Sequence, residues 1–236
     1  MRFTWIGQGG ILFESDNYRL ALDPYLSDIV ERKQGVTRIA PPPMSVGELR
    51  PDAVFCTHNH LDHFDPETIS EISEEFPHCV FAGPASVAKK CEELRISDER
   101  VKRIEKGRDL VLGGFRLMAL PAIHSDPDSV GVLMECEDKK IYISGDTEYR
   151  DDLPASVMKL AGRKIDMMFI CINGRLGNMD SDDALKMVEF LKPAAAVPFH
   201  YGLFKENTAD PMPFIRQCIE KGIRSFAMRH GKVNIL

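Results

Sequence analysis

The segment Thr57-His58-Asn59-His60-Leu61-Asp62-His63 sets three imidazoles and a carboxylate within six consecutive positions. Neutral imidazole nitrogens and carboxylate oxygens are ligands for zinc, manganese and iron. Four such groups so close together cannot all point one way from a helix or a strand, because neighbours fan around a helix and alternate across a strand. A tight loop can aim them at two adjacent points, with His58 and His60 facing one metal and Asp62 and His63 a second. A lone histidine on a polar loop is ordinary; the dense HxHxDH cluster is a strong metal-site signal. Three more donors sit in similar settings. His124 follows the apolar run FRLMALPAI, Asp146 follows KIYISG and His200 follows AAAVPF. Five of the seven histidines are used in this way, and His78 and His230 read as surface residues.

Each of these donors stands just beyond an apolar run of strand length, and the cluster itself follows PDAVFC. Ligands of α/β sheets gather outside the carboxyl ends of strands. Strand-like runs occupy residues 3–6, 11–13, 18–22, 53–56, 80–82, 115–120, 130–136, 140–144, 167–172 and 194–198. Helical spacing occupies 66–75, 85–94, 154–160, 181–191 and 211–221. Pro66 suits the first helical position behind Asp65 as N-cap, and Asp182 and Asp183 suit a helix N-terminus. Consecutive strands followed by alternating helices and strands predict an α/β fold with helices on the sheet faces. No Pro-, Gly- or Ser-rich linker divides the chain, so residues 1–236 read as a single domain. The polar stretch 30–43, ending in three prolines, lies near the expected strand-end edge and is a candidate mobile lid.

Composition narrows the function classes. Thirty lysines and arginines against 36 aspartates and glutamates give a net charge of −6, which disfavours a dedicated nucleic-acid binder. With 44% apolar and 28% charged residues, the chain has the mix of a globular protein with a sizeable core. Its six cysteines form no CxxC pair and several lie in apolar runs, as buried thiols of a reducing compartment do. The N-terminal segment lacks a signal-peptide pattern and no apolar stretch reaches membrane-span length, so a cytoplasmic location is expected.

The order HxHxDH, His124, Asp146, His200 resembles the metallo-β-lactamase superfamily. The resemblance implies a four-layer αββα sandwich with a dinuclear site at one edge. It implies that His58, His60 and His124 hold one metal, that Asp62, His63 and His200 hold the other, and that Asp146 bridges them. Asp23, in ALDPYLS, matches an early aspartate that orients the metal loop from behind. The strings GDTEYRDDL, INGRLGNMDSDDAL and PFHYGLFKENTADP resemble the lactonase branch that includes L-ascorbate-6-phosphate lactonase. The resemblance runs from Thr4 to about Phe214. In two respects the chain departs from it: it is shorter than that lactonase family, and Gln8 stands where many relatives carry histidine in the glycine turn.

The expected cofactors are two divalent ions, Mn²⁺ or Zn²⁺, with iron also compatible. Water shared by two such ions has its pKa lowered from nearly 16 towards about 7, and Asp62 or Asp146 would carry a proton to the leaving oxygen. No serine or cysteine nucleophile is then required, and no GxSxG elbow is present. The expected function is a metal-dependent hydrolase opening a small, phosphorylated lactone or related ester. Arg175 is the first candidate for holding its phosphate, with Asn173, Asn178, Tyr201, Lys205 and Asn207 behind it. Glu148 and Tyr149 either reach the site or cap the next helix. The alternatives are a phosphodiesterase acting on a nucleotide or phospholipid-type substrate, and a non-catalytic sensor that keeps its metals. The partner is a small molecule rather than nucleic acid or membrane, and a homo-oligomer is left open.

Overall fold

The computed structural model describes residues 1–162 and 165–236. Three strands open the chain as an antiparallel meander: β1 (Arg2–Gly7), β2 (Gly10–Ser15) and β3 (Tyr18–Leu22). After an excursion through α1 (Ile29–Gln34) and α2 (Val46–Leu49), the chain adds β4 (Ala53–Phe55) parallel to β3. Helix α3 (Pro66–Glu75), strand β5 (Val80–Gly83), helix α4 (Ala85–Glu93) and strand β6 (Val101–Arg103) continue the parallel half.

A second sheet follows. Strands β7 (Asp109–Leu112), β8 (Phe115–Pro121), β9 (Val130–Cys136) and β10 (Lys139–Ile143) are antiparallel. Helix α5 (Leu153–Ala161), strand β11 (Met167–Cys171), helix α6 (Ser181–Leu191) and strand β12 (Ala196–Phe199) extend that sheet in parallel. Helix α7 (Met212–Glu220) then leads to β13 (Val233–Ile235), which returns to the first sheet beside β1. The sheet orders are β13-β1-β2-β3-β4-β5-β6 and β12-β11-β10-β9-β8-β7.

The sheets face each other through one apolar core. Phe169 of β11 meets Phe3 of β1 and Phe13 of β2 edge-on at centroid separations of 5.3 and 6.0 Å. On the first sheet's other face, Val54 and Phe81 pack with Ile69, Ile72 and Val87 of α3 and α4. Helices α5, α6 and α7 bring Val157, Val188 and Phe214 to the second sheet. The result is the expected four-layer αββα sandwich. The run MMFIC is buried at every position, as a parallel strand covered on both faces must be.

Local chemistry sets the helix starts. The Asp65 side chain accepts from the amides of Glu67 and Thr68, with Pro66 opening α3. Asp180 caps α6 by accepting from Asp182 and Asp183, whose carboxylates favour the positive end of the helix. Strands β6, β7 and β13, together with α1 and α2, add to the elements expected from sequence. In the region 30–43, Val30 is buried with Ile29, Leu203 and Phe204 and the Ile39 amide donates to the Leu203 carbonyl at 2.7 Å, while residues 31–43 are exposed or half-buried. His78 is exposed, but His230, expected at the surface, is half-buried with its ring 4.2 Å from that of Trp5. Among the described residues, no helix is long and apolar enough to cross a membrane.

Candidate metal centre

Five segments leave strand ends at one edge of the sandwich. Asp23 follows β3, residues 57–63 follow β4, His124 follows β8, Asp146 follows β10 and His200 follows β12. Asp23 organises the metal loop from beneath. Its Oδ1 accepts from the Thr57 amide at 2.7 Å, and its Oδ2 takes the Thr57 hydroxyl at 2.7 Å and lies 2.8 Å from His63 Nδ1. The turn after β1 must pass very close: a Cβ at Gly9 would stand 2.6 Å from His63 Cε1. Asp126 pins the other side of the loop, accepting from the Asn59 amide at 3.1 Å and the Ser86 hydroxyl at 2.6 Å.

The donor atoms form three overlapping groups: His58, His60 and His124; Asp62, His63 and His200; and His58, His63 and Asp146. Within each group the atoms all lie within 4.8 Å of one another. His58 Nε2 is 3.0 Å and His124 Nε2 3.1 Å from His60 Nδ1. His63 Nε2 and His200 Nε2 are 3.2 Å apart. Asp146 faces both sets, with Oδ1 3.3 Å from His63 Nε2 and 3.1 Å from His200 Nε2, and Oδ2 3.8 Å from His124 Nε2. Asp62 Oδ2 lies 3.7 Å from His200 Nε2.

The outer ring nitrogens fix which atoms turn inward. His124 Nδ1 faces the Gly177 carbonyl at 2.9 Å and His63 Nδ1 faces the Asp23 carboxylate, both acceptors only. The Thr57 hydroxyl gives its hydrogen to Asp23, so at 3.0 Å it accepts from His58 Nδ1. His58 and His124 therefore each present an unprotonated Nε2 to the interior, and His63 Nε2 does so once a metal ion takes the place of a proton there. A proton on His60 Nδ1 could serve only one of its two nitrogen neighbours. Lone pairs packed at about 3 Å repel, and a cation removes that repulsion. Among the described residues, Asp146 Oδ1 and His200 Nδ1 are buried without a hydrogen-bond partner. The donor set fits divalent metal ions, and the His/Asp cluster is able to bind metal.

Electrostatics agree for His58 and His60. Burial, reinforced by His63, holds His58 well below the ordinary imidazole range, and burial followed by His124 and His63 lowers His60. Both are thus neutral ligands at pH 7. Burial also opposes charge on His63, but Asp146, Asp23 and Asp62 outweigh it and lift that ring well above its usual value. Burial would raise Asp146, yet His200 and His63 prevail and keep the carboxyl ionised.

Above the donors opens a cavity of about 1020 Å³, floored by His60, Asp62, His124 and Asp146. Arg175 and Asn207 line it, as does Lys90 from α4. The remaining sequence candidates stand elsewhere. Asn178 Nδ2 donates to Asp146 Oδ2 at 2.8 Å and to Asn173 Oδ1 at 3.1 Å, and Asn173 Nδ2 donates to Asn207 Oδ1 at 2.7 Å. These amides steady Asp146 from the side. Tyr201 packs on Trp5 with centroids 4.9 Å apart, and Lys205 is exposed; neither lines the cavity. Glu148 and Tyr149 border a separate hollow of about 370 Å³.

Sequence reasoning passed over two contributors. Gln8 is fully buried, and its Nε2 donates to Asp62 Oδ2 at 2.9 Å and lies 3.3 Å from His200 Nε2. Its place in the glycine turn was the available signal. Ser125, next to His124, sets its Oγ 3.1 Å from His60 Nε2.

Residues 18–201 match the family described as "Beta-lactamase superfamily domain". A UPF0173 metal-dependent hydrolase of Oenococcus oeni is 29% identical over 237 residues, covering 92% of this chain and 93% of the relative. Another, from Thermoplasma acidophilum, is 30% identical over 200 residues, covering 82% and 80%. Among solved structures, Igni18, a metallo hydrolase of the archaeon Ignicoccus hospitalis, superposes with a TM-score of 0.80 at 22% identity, covering 99% of this chain and 97% of its own.

Proposed function

Because the chain belongs to the metallo-β-lactamase superfamily and, within it, to the UPF0173 metal-dependent hydrolases, we propose that this metal-dependent hydrolase opens a small, anionic lactone or related ester, phosphorylated as in the L-ascorbate-6-phosphate lactonase branch. The supporting observation is the arrangement of Asp146 between two histidine-rich donor groups on the floor of a cavity whose wall carries the Arg175 side chain. In this reading His58, His60 and His124 hold one divalent ion, Asp62, His63 and His200 hold a second, and Asp146 serves both, with Mn²⁺ or Zn²⁺ as the occupants. Divalent ions in such a pair supply Lewis acidity towards the scissile carbonyl and lower the pKa of water to near neutrality.

The chain's own residues do the rest. Asp62 lines the cavity with a side chain 19% exposed, and would take a proton from the attacking water and pass it to the leaving oxygen. Gln8 fixes one Asp62 oxygen by donating to Oδ2, and Asn178 does the same for Asp146. Arg175 is exposed on the cavity wall and, among the described residues, has no salt-bridge partner, so its guanidinium is available to an anionic group on the substrate. Lys90 adds positive charge from α4, although Glu93 pairs with it at 2.7 Å.

The same two cations favour a second reading, a phosphodiesterase. The test is a panel of lactones, aryl esters and bis(p-nitrophenyl) phosphate, given to protein loaded with Mn²⁺ or Zn²⁺. Lactone or ester opening that Asp146→Ala abolishes supports the first reading. Turnover of the phosphodiester alone selects the second. A metal-loaded protein that turns over nothing Asp146→Ala removes is a sensor rather than an enzyme.

A further inference from the structure

The floor and the cations account for only part of the cavity. One part of its wall is apolar: Val30 and Val36 come from the excursion after β3, Leu61 from the metal loop, Leu176 from the loop after β11 and Phe204 from the loop after β12. We propose that the substrate carries an apolar alkyl, acyl or aryl body seated on these five side chains, with its anionic group at Arg175, rather than a hydroxyl-rich sugar body. The inference rests on the hydrolase reading for the position of the scissile bond, and narrows it by keeping the anionic group and replacing the sugar-derived body of an ascorbate-phosphate-like lactone with an apolar one.

Leu176 carries the argument furthest. It is 78% exposed, so no core packing accounts for a leucine there. Its φ of 53° lies in the left-handed region, which leucine occupies only against a steric cost. The neighbouring Gly177 has a local reason for its identity, because a Cβ there would come within 3.0 Å of His124 Nδ1. Leu176 has no such reason, and its side chain borders the cavity. An exposed apolar residue held in a disfavoured conformation beside a reaction centre is what contact with an apolar substrate requires.

The rest of the wall is firm. Phe204 and Val30 are buried, and both pack in one cluster with Tyr25, Ile29 and Leu203, against which Val36 and Leu61 rest. Gln34, Asn59, Ser125, Glu206 and Asn207 make the rest of the lining polar, whereas the five apolar wall side chains offer a substrate no hydrogen-bond donors or acceptors. Sugar hydroxyls placed there would give up water without replacement, which costs binding. At about 1020 Å³ the cavity is at the upper end of ligand-site volumes, well beyond the needs of a lactone ring alone.

Binding separates this idea from the question of catalysis. Metal-loaded full-length protein is titrated calorimetrically with alkylphosphonates of two to eight carbons and with glucose 6-phosphate. The expected result is a Kd that tightens about fourfold per methylene seated on the wall, with the sugar phosphate weaker than the longer chains. Leu176→Asn keeps a residue tolerant of the left-handed conformation, and should weaken the eight-carbon ligand about tenfold while leaving the two-carbon ligand unchanged. A Kd independent of chain length, or tighter binding of glucose 6-phosphate, overturns the proposal. Matching p-nitrophenyl esters are then assayed for turnover. Chain-length-dependent binding without turnover of these esters, or of the lactones and phosphodiester of the panel above, refutes the hydrolase reading and leaves the apolar site standing.

Discussion

Replacing Asp23 by asparagine tests whether the inner donors depend on partners outside the cluster. Asp23 is fully buried and takes the Thr57 amide, the Thr57 hydroxyl and His63 Nδ1 at 2.7, 2.7 and 2.8 Å. In Asp23→Asn the remaining oxygen can keep the Thr57 amide. The new NH₂ group then faces Thr57 Oγ1, which can rotate to accept, and His63 Nδ1–H, which cannot. The conflict is relieved by moving the ring proton from Nδ1 to Nε2, the atom 3.2 Å from His200 Nε2 and 3.3 Å from Asp146 Oδ1. A proton there blocks the lone pair a metal would use. Loss of such an outer partner weakens metal binding about 10–100-fold, equivalent to roughly 1.4–2.8 kcal/mol. The metal-free fold should lose about 1.5–3 kcal/mol, the worth of one hydrogen bond to a charged group. Asp23→Ala strands all three donors and should cost more than about 3 kcal/mol. Competition titration of Zn²⁺ or Mn²⁺ against a chromophoric chelator, alongside melting of the metal-free protein, reads both quantities. If Asp23→Asn melts lower yet binds metal within about twofold of the parent, Asp23 only supports the loop and the tautomer argument fails.

Three other outcomes are expected. Asn178→Ala removes the donor to Asp146 Oδ2 and should lower kcat about tenfold with KM little changed, since a charged hydrogen bond that orients a ligand is lost; a pure KM effect in steady-state kinetics refutes that role. Arg175→Leu should raise KM for anionic substrates at least about tenfold while sparing neutral esters, and equal loss on both would show that Arg175 supports the loop instead. His230 is held below its ordinary value of 6.5, first by burial and then by Arg38. Its folded pKa is thus lower than its unfolded one, so the stability it confers is present above about pH 6.5 and is lost as pH falls through that value. Melting of the parent and of His230→Leu between pH 5 and 7.5 should show a shallower decline in the variant, and parallel curves would remove His230 from the account.

What could be read from sequence follows from how directly a side chain advertises its role. Imidazoles at alternate positions after an apolar run announce both their chemistry and their strand-end placement, and the structure gathers His58, His60, His63, His124, His200, Asp62 and Asp146 into one cluster. Helix α3 was legible to the residue because Asp65 and Pro66 mark its start by local bonding alone. Strands β6 and β13 were not, since each is three residues long, sits at a sheet edge and has two exposed side chains, leaving no alternating pattern. Tyr201 and Lys205 follow His200 so closely that proximity in sequence suggested a shared destination. His200, however, adopts a φ of 61°, and the chain turns there, sending Tyr201 to Trp5. Gln8 and Asn178 were harder, because an amide shows its purpose only through the partner it meets across the fold.

The partnership of β1 with β13 reaches beyond the finished molecule. Arg2, Phe3 and Thr4 lie opposite Ile235, Asn234 and Val233, so this stretch of the outer edge of β1 stays uncovered until residues 233–235 have been made. Until then the emerging chain displays an open backbone edge at Arg2–Thr4, with Phe3, Trp5 and Ile6, buried in the finished fold, beside it. Open apolar edges recruit strands from other chains. The hazard of aggregation thus falls on the ribosome-bound intermediate and ends when β13 closes the sheet. Slowing the arrival of residues 233–235, by stalling of translation, lengthens that interval without altering a single contact of the native metal centre.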